Sequence, residues 1–357
     1  MIMRRRIIAA AGLATWARRS RLALALAVLA LSAGPLAAQP ALPAAPAEQA
    51  AANLQARSAA LQASLVELAG RMANDPRMRG LSAQKRQERV AFVVGNLLFV
   101  LGHELGHAVI AEFDLPVLGR EEDTADVYAI SKALTIVNNE LSHRALMRAS
   151  TAWFMSARRA RRDGEAPAYH EQHGLDEQRA YHIICLMVGS DPDKFKALAD
   201  EHRLPEDRRR SCVRDYHVAT RSWQRVMAPN MRAAGQPKAE VNVSYGEARG
   251  SLDGVAQSLR EIRILEHMAE FAAEQYRWPA PITLEMRSCG DAAAAFTFAT
   301  RTVHVCYEMV DEFVALFNEQ ERDVRTARRG TRTAGSRNGP RNAPRGGAAF
   351  APARARP

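Results

Sequence analysis

His103, Glu104 and His107, set in Phe99-Val-Leu-Gly-His103-Glu104-Leu-Gly-His107-Ala-Val-Ile110, are residues whose types and spacing could do chemistry together. On a helix, residues four apart share a face, so both imidazoles can reach one metal ion. Glu104 then lies to one side, where its carboxylate can reach a metal-activated water without ligating the metal. Catalytic zinc usually takes three protein ligands and keeps a fourth position for water. Downstream the chain reads Leu115-Pro-Val-Leu-Gly-Arg-Glu-Glu122-Asp-Thr-Ala-Asp126, and Glu122 is the candidate third ligand. Asp126, four residues on and on the same helical face, is the candidate to hold the second N–H of a ligand histidine, His103 first. Glu121 and Asp123 point elsewhere on that helix and read as surface charges or as acids favoured at a helix N-terminus. The polar cluster from His170 to Arg179 supplies candidates for stabilising a developing oxyanion, His173 first and Arg179 second. The remaining histidines show no ligand spacing, and Trp153, Trp223 and Trp278 read as packing residues.

The elements that must position these groups read as helices. The motif lies in one running from near Ser82 to about Phe113, apolar all round over Val90–Leu101, as in a helix buried at the centre of a domain. A membrane span is the competing reading. It is disfavoured because no second segment of spanning length would wall in a lipid-embedded site. Gly95, Gly102 and Gly106 weaken the helix but allow another backbone to come close beside the site. Pro116 ends the helix, Gly119 marks a turn, and a second helix starts near Arg120 and continues through Val137. Further helical periodicity covers 140–161, 176–188 (broken by Gly189-Ser-Asp-Pro192), a short stretch to Asp200, and Val213–Met227. One more helix is expected over 252–276. Strands are expected at Ile282–Ser288 and Thr302–Tyr307, with Cys289 and Cys306 stapling a small hairpin.

The formal net charge of +10 is unevenly placed. Residues 1–21 carry six Arg and no acid, and residues 322–357 carry ten Arg and one Asp. Subtracting +6 and +9 from +10 leaves −5 for the remainder, so the body is mildly acidic and a nucleic-acid partner is not expected. The basic N-terminus, the apolar run Leu22–Leu31 and the small residues up to Ala38 form an export signal over 1–38. The mature chain is then periplasmic or secreted, with no stable membrane span. The four cysteines, Cys185, Cys212, Cys289 and Cys306, allow three pairings; sequential pairing keeps each bridge local, and the absence of C-x-x-C argues against thiolate zinc ligation. The expected organisation is a linker and helix over 39–80, a metallopeptidase-like domain over 81–232, a linker over 233–254, a small α/β appendage over 255–320 and a disordered Arg-rich tail over 321–357. The sequence assigns no oligomeric state.

His-Glu-Leu-Gly-His-Ala followed by Leu-Pro-Val-Leu-Gly-Arg-Glu-Glu-Asp-x-Ala-Asp resembles a family of bacterial zinc metallopeptidases known as a domain of unknown function. Its E-x-x-A-D segment is similar to that of gluzincin peptidases, which combine H-E-x-x-H with a downstream Glu. The likeness continues through His173–Arg179, Cys185 and Gly189–Pro192 into Arg221-Ser-Trp223, and again at 289–309. The resemblance implies a mainly α fold, a zincin-like helical metallopeptidase core with a small disulfide-stapled α/β C-terminal appendage. It also implies one zinc ion on His103, His107 and Glu122, Glu104 as the base, and a peptide or protein substrate. The alternative is an exported metal-containing protein that binds without hydrolysing. Glu104 argues against it, because a purely structural site needs no base.

Overall fold

The computed structural model describes residues 46–336 apart from residue 234. The export signal, residues 39–45 and residues 337–357 of the Arg-rich tail lie outside the described residues; the tail expected to be disordered from 321 is instead helical as far as Ser336, as the continuation of the last helix. Within them the chain is mainly helical, with one small sheet toward the C-terminus. The helices and strands run α1 (Pro46–Arg71), α2 (Ala83–Glu112), α3 (Glu121–Lys132), α4 (Glu140–Arg162), α5 (Asp176–Ser190), α6 (Lys196–Glu201), α7 (Glu206–Met227), β1 (Val241–Tyr245), α8 (Asp253–Glu261), α9 (Ile264–Gln275), β2 (Ile282–Arg287), β3 (Ala294–Thr297), β4 (Thr302–Cys306) and α10 (Glu308–Ser336).

α2 is the axis. Ser82 caps its start, Oγ accepting the Lys85 N–H at 3.3 Å. Length and hydropathy would let it cross a membrane, yet 78% of its apolar window is buried inside the protein. Leu97, Leu101, Leu105 and Val109 are fully buried, as a helix apolar on every side requires. α3 comes down beside it on small residues. A Cβ at Gly106 would stand 3.1 Å from the Ala125 Cα, and one at Gly102 would stand 3.3 Å from the Ala129 Cβ. This close approach brings the acidic first turn of α3 against the histidines of α2.

α4, α5 and α7 pack on the other side around a second core that includes Ile183, Ile184 and Met187. Gly189 does not break α5, which continues to Ser190. The glycine is instead a crossing point, because a Cβ there would collide with the Cys212 carbonyl oxygen of α7. The Cys185–Cys212 disulfide closes the same crossing, with Cα atoms 5.1 Å apart.

The sheet has the order β1-β2-β4-β3. β1, β2 and β4 are parallel, and β3 pairs antiparallel with β4 at the edge. Three sequence expectations are corrected here. The two expected strands form no hairpin: β2 and β4 run parallel, and β3 is inserted between them in sequence, so the Cys289–Cys306 disulfide ties the chain after β2 to the end of β4. The expected linker over 233–254 contains β1, paired with β2 from Val241–Ile282 to Tyr245–Met286. The single helix expected over 252–276 is two, divided at Arg263, whose φ of 55° leaves the helical region. One continuous core runs from Leu61 on α1 through Leu101 and Leu105 on α2 to Leu284, Val303 and Phe317. Glu112, at the end of α2 and almost wholly buried, pairs with Arg301 at 3.3 Å and pins the turn before β4 to the motif helix.

Candidate metal centre

Three ligand-capable atoms converge where α2 and α3 meet. His103 Nε2 lies 3.1 Å from His107 Nε2 and 3.1 Å from Glu122 Oε2, and the third side of the triangle, His107 Nε2 to Glu122 Oε2, is 3.4 Å. Donors bonded at 2.0–2.1 Å to a tetrahedral ion stand about 3.3–3.4 Å apart, so the triangle fits one. The second ring nitrogens decide the protonation. His103 Nδ1 is 2.7 Å from Asp126 Oδ1, and His107 Nδ1 is 2.8 Å from Glu121 Oε1. Carboxylates only accept, so each Nδ1 carries the proton and donates it. Neutral rings would then present both Nε2 lone pairs toward the carboxylate oxygen, so the three atoms can meet only around positive charge, either a metal ion or, in its place, the Nε2 protons of imidazolium rings.

The electrostatics record the same demand. Burial pushes the His103 imidazole down, but Asp126 and Glu122 outweigh it and hold the ring up at about 9. His107 is raised in the same way, burial opposing and Glu122 and Glu121 prevailing. Burial would raise Glu122, yet hydrogen bonds from His103, His107 and His173 hold it far below the usual carboxylate range. Asp126 is almost fully buried; His103 and Arg179 overcome that burial and bring it to about 2. Glu104 goes the other way. Burial outweighs His103 and His107 and lifts its carboxyl above the ordinary value, toward the range where a carboxylate works as a base near neutral pH.

The structure places the other candidates unequally. His173 Nε2 is 2.8 Å from Glu122 Oε2, and the half-exposed ring borders the cleft. Arg179 does not border it. Its Nε and Nη2 donate to the two Asp126 oxygens at 2.8 Å each, and its guanidinium lies 3.9 Å from the centre of the Trp153 ring. Arg179 as an oxyanion donor is therefore corrected: it is buried and committed to Asp126, which it holds for His103. Glu121 is the residue the sequence reading missed, since it meets His107 rather than solvent alone. The signal was available. In an antiparallel helix pair, one turn forward on α2 matches one turn back on α3, so a carboxylate serving His103 at 126 implies another near 121–122 for His107. Cys289, Cys306 and Glu308 also lie close together, but both thiols are spent in a disulfide.

The centre opens into a cleft of ≈ 580 Å³. Glu104, His107, Glu122 and His173 form one wall, and Ala294, Ala295, Phe296 and Phe298, on and just after the edge strand β3, form the other. The arrangement offers a cation seat, a buried base beside it and an unpaired strand edge across from both. No curated protein and no solved structure shows significant similarity to the chain. A family model does: over residues 66–227 and 248–336, on a scaffold that carries this centre, the chain belongs to the DUF4344 family, described as "Putative metallopeptidase".

Proposed function

We propose that the protein is an exported, zinc-dependent peptidase that hydrolyses peptide bonds with Glu104 as general base. The observation that carries the reading is the triangle of His103 Nε2, His107 Nε2 and Glu122 Oε2, with both Nδ1–H groups already held by carboxylates. Nitrogen and carboxylate donors in a three-sided set with one side open suit zinc in a catalytic role. Zinc bound there would lower the pKa of a coordinated water toward neutrality and polarise a carbonyl group.

The chain's own residues account for the rest. Glu104, buried and lifted in pKa, accepts the water proton and delivers it to the leaving amine. Asp126 and Glu121 fix the tautomer and orientation of the two imidazoles, and Arg179 fixes Asp126. His173, on the cleft side of Glu122, would serve as the N–H donor for negative charge growing on the carbonyl oxygen by turning its Nε2–H from Glu122 to the substrate. β3 pairs with β4 on one side only, so its other edge can take an extended peptide as an added strand and lay the scissile bond along the cleft. The basic and apolar N-terminal sequence and the two disulfides support export to an oxidising compartment.

The test is metal analysis and peptide-library cleavage on the wild type and on Glu104→Ala. Both proteins are expected to hold one zinc per chain, with cleavage lowered in the variant by roughly 10³-fold. Cleavage at wild-type rate in Glu104→Ala, or wild-type protein that takes up no zinc, would overturn the reading.

A further inference from the structure

A second cavity lies between α1, α2, α3, α4 and α9 and shares no lining residue with the cleft. Its volume is ≈ 140 Å³, and its walls are overwhelmingly apolar, among them Leu61, Leu98, Leu105, Leu141 and Phe271. It is a recess open to solvent on one side rather than a sealed void, and an apolar recess with a few polar groups in its wall is the usual form of a small-molecule site.

Lys132, also in the wall, is out of keeping with that lining. It is only 8% exposed. Its Nζ stands 5.5 Å from the Tyr128 ring centre and 5.8 Å from that of Tyr276, and among the described residues no carboxylate or hydrogen-bond acceptor meets it. Arg57, the other fixed cation of the lining, is already paired with Glu270 and Glu274. Burial draws the Lys132 ammonium down to about 8, so it remains largely protonated at neutral pH. A buried ammonium without a counter-charge is costly. The chain after Lys132 turns as a π-helix over Ala133–Val137, and both end residues of that turn are in the cavity wall. Such turns are rare and concentrate at functional sites.

We infer that this cavity is a binding site for a small amphiphile with a single negative head, a medium-chain or arylalkyl carboxylate, whose apolar body fills the cavity and whose carboxylate pairs with Lys132. One unpaired cation in an apolar wall matches one charge. A phosphate dianion would need more donors than the wall offers, and a neutral lipid would leave the ammonium unanswered. The site does not depend on metal or on peptide hydrolysis.

Calorimetric titration of the full chain with octanoate and, separately, with octanamide tests it. Octanoate is expected to bind one-to-one, about tenfold or more tighter than octanamide. Lys132→Met, which keeps the length of the stem and removes the charge, should still bind octanamide and lose the preference. Failure of folded wild type to bind octanoate at millimolar concentration, equal affinity for the two compounds, or a preference that survives in Lys132→Met would each overturn the inference. If the variant does not fold, the wild-type ratio of the two affinities decides alone.

Discussion

Each imidazole of the proposed zinc site has its own carboxylate, and the two are not equal. Asp126 is almost fully buried and gripped by Arg179, whereas Glu121 is half exposed and holds His107 alone. Removing the charge of such partners typically costs 10- to 100-fold in metal affinity. Asp126→Asn should therefore weaken zinc binding by about that range, and Glu121→Gln by clearly less, as read by competition with a chelating dye; the reverse order would show that burial does not set the ranking. Asp126 could be read in the sequence from its four-residue spacing to Glu122, but the commitment of Arg179 could not, because its partner lies 53 residues away. Lys132 gives a second residue-scale prediction. Its folded pKa, about 8, is below the ordinary 10.5, so the folded state binds fewer protons than the unfolded state between those values. Stability must then rise as pH rises through that window, and the penalty is fully present below it. Lys132→Met is expected to be more stable than wild type by on the order of 2–3 kcal/mol at pH 7, with the gap closing toward pH 10.5. Urea unfolding at both ends of the window measures it, and an equal gap at both would reject the assignment.

Between elements, the decisive contact is the crossing of α2 and α3. The carboxylates reach the imidazoles because Gly106 lets the Ala125 backbone come within contact distance. Gly106→Val places branched carbons where there is no room, an overpacking that costs about 1–3 kcal/mol. It should lower zinc affinity while leaving the far-UV circular dichroism spectrum helical; unchanged affinity would mean that α3 can retreat without moving Glu122. The glycines could be read in advance as sites of close approach, and α2 through α5 as helices, because their apolar residues recur locally with helical period. The sheet was harder to read. β1 sits in a Gly-rich stretch and takes its strand partner 41 residues on, at Ile282, so no local pattern announces it. The parallel pairing of β2 with β4 depends on β3 lying beyond β4, an order that alternation within each segment does not encode.

The whole molecule is best understood through where its charges and covalent ties lie. The excess of positive charge lies at the two ends of the chain, and the described body is folded around a core shared by the motif helix and the sheet. Composition shifts place boundaries at 232 and 254, and one hydrophobic core includes residues on both sides of each, with α2 packed against β3 and β4. The two disulfides are what the proposed export to an oxidising compartment would require of the fold. Protein recovered from the periplasm or medium is expected to begin at Gln39 and to resist thiol alkylation until reduced, as intact mass would show. An intact N-terminus or freely alkylated cysteines would place folding inside the cell.

The free side of β3 sets a shape requirement on whatever enters. A strand edge reads backbone amides in extended form, and a helix or a compact loop offers it none in register. Tightly folded proteins should thus pass by unharmed, while denatured chains, frayed tails and short fragments slip in. The peptidase proposed above would then act on unfolded polypeptide rather than on intact neighbours.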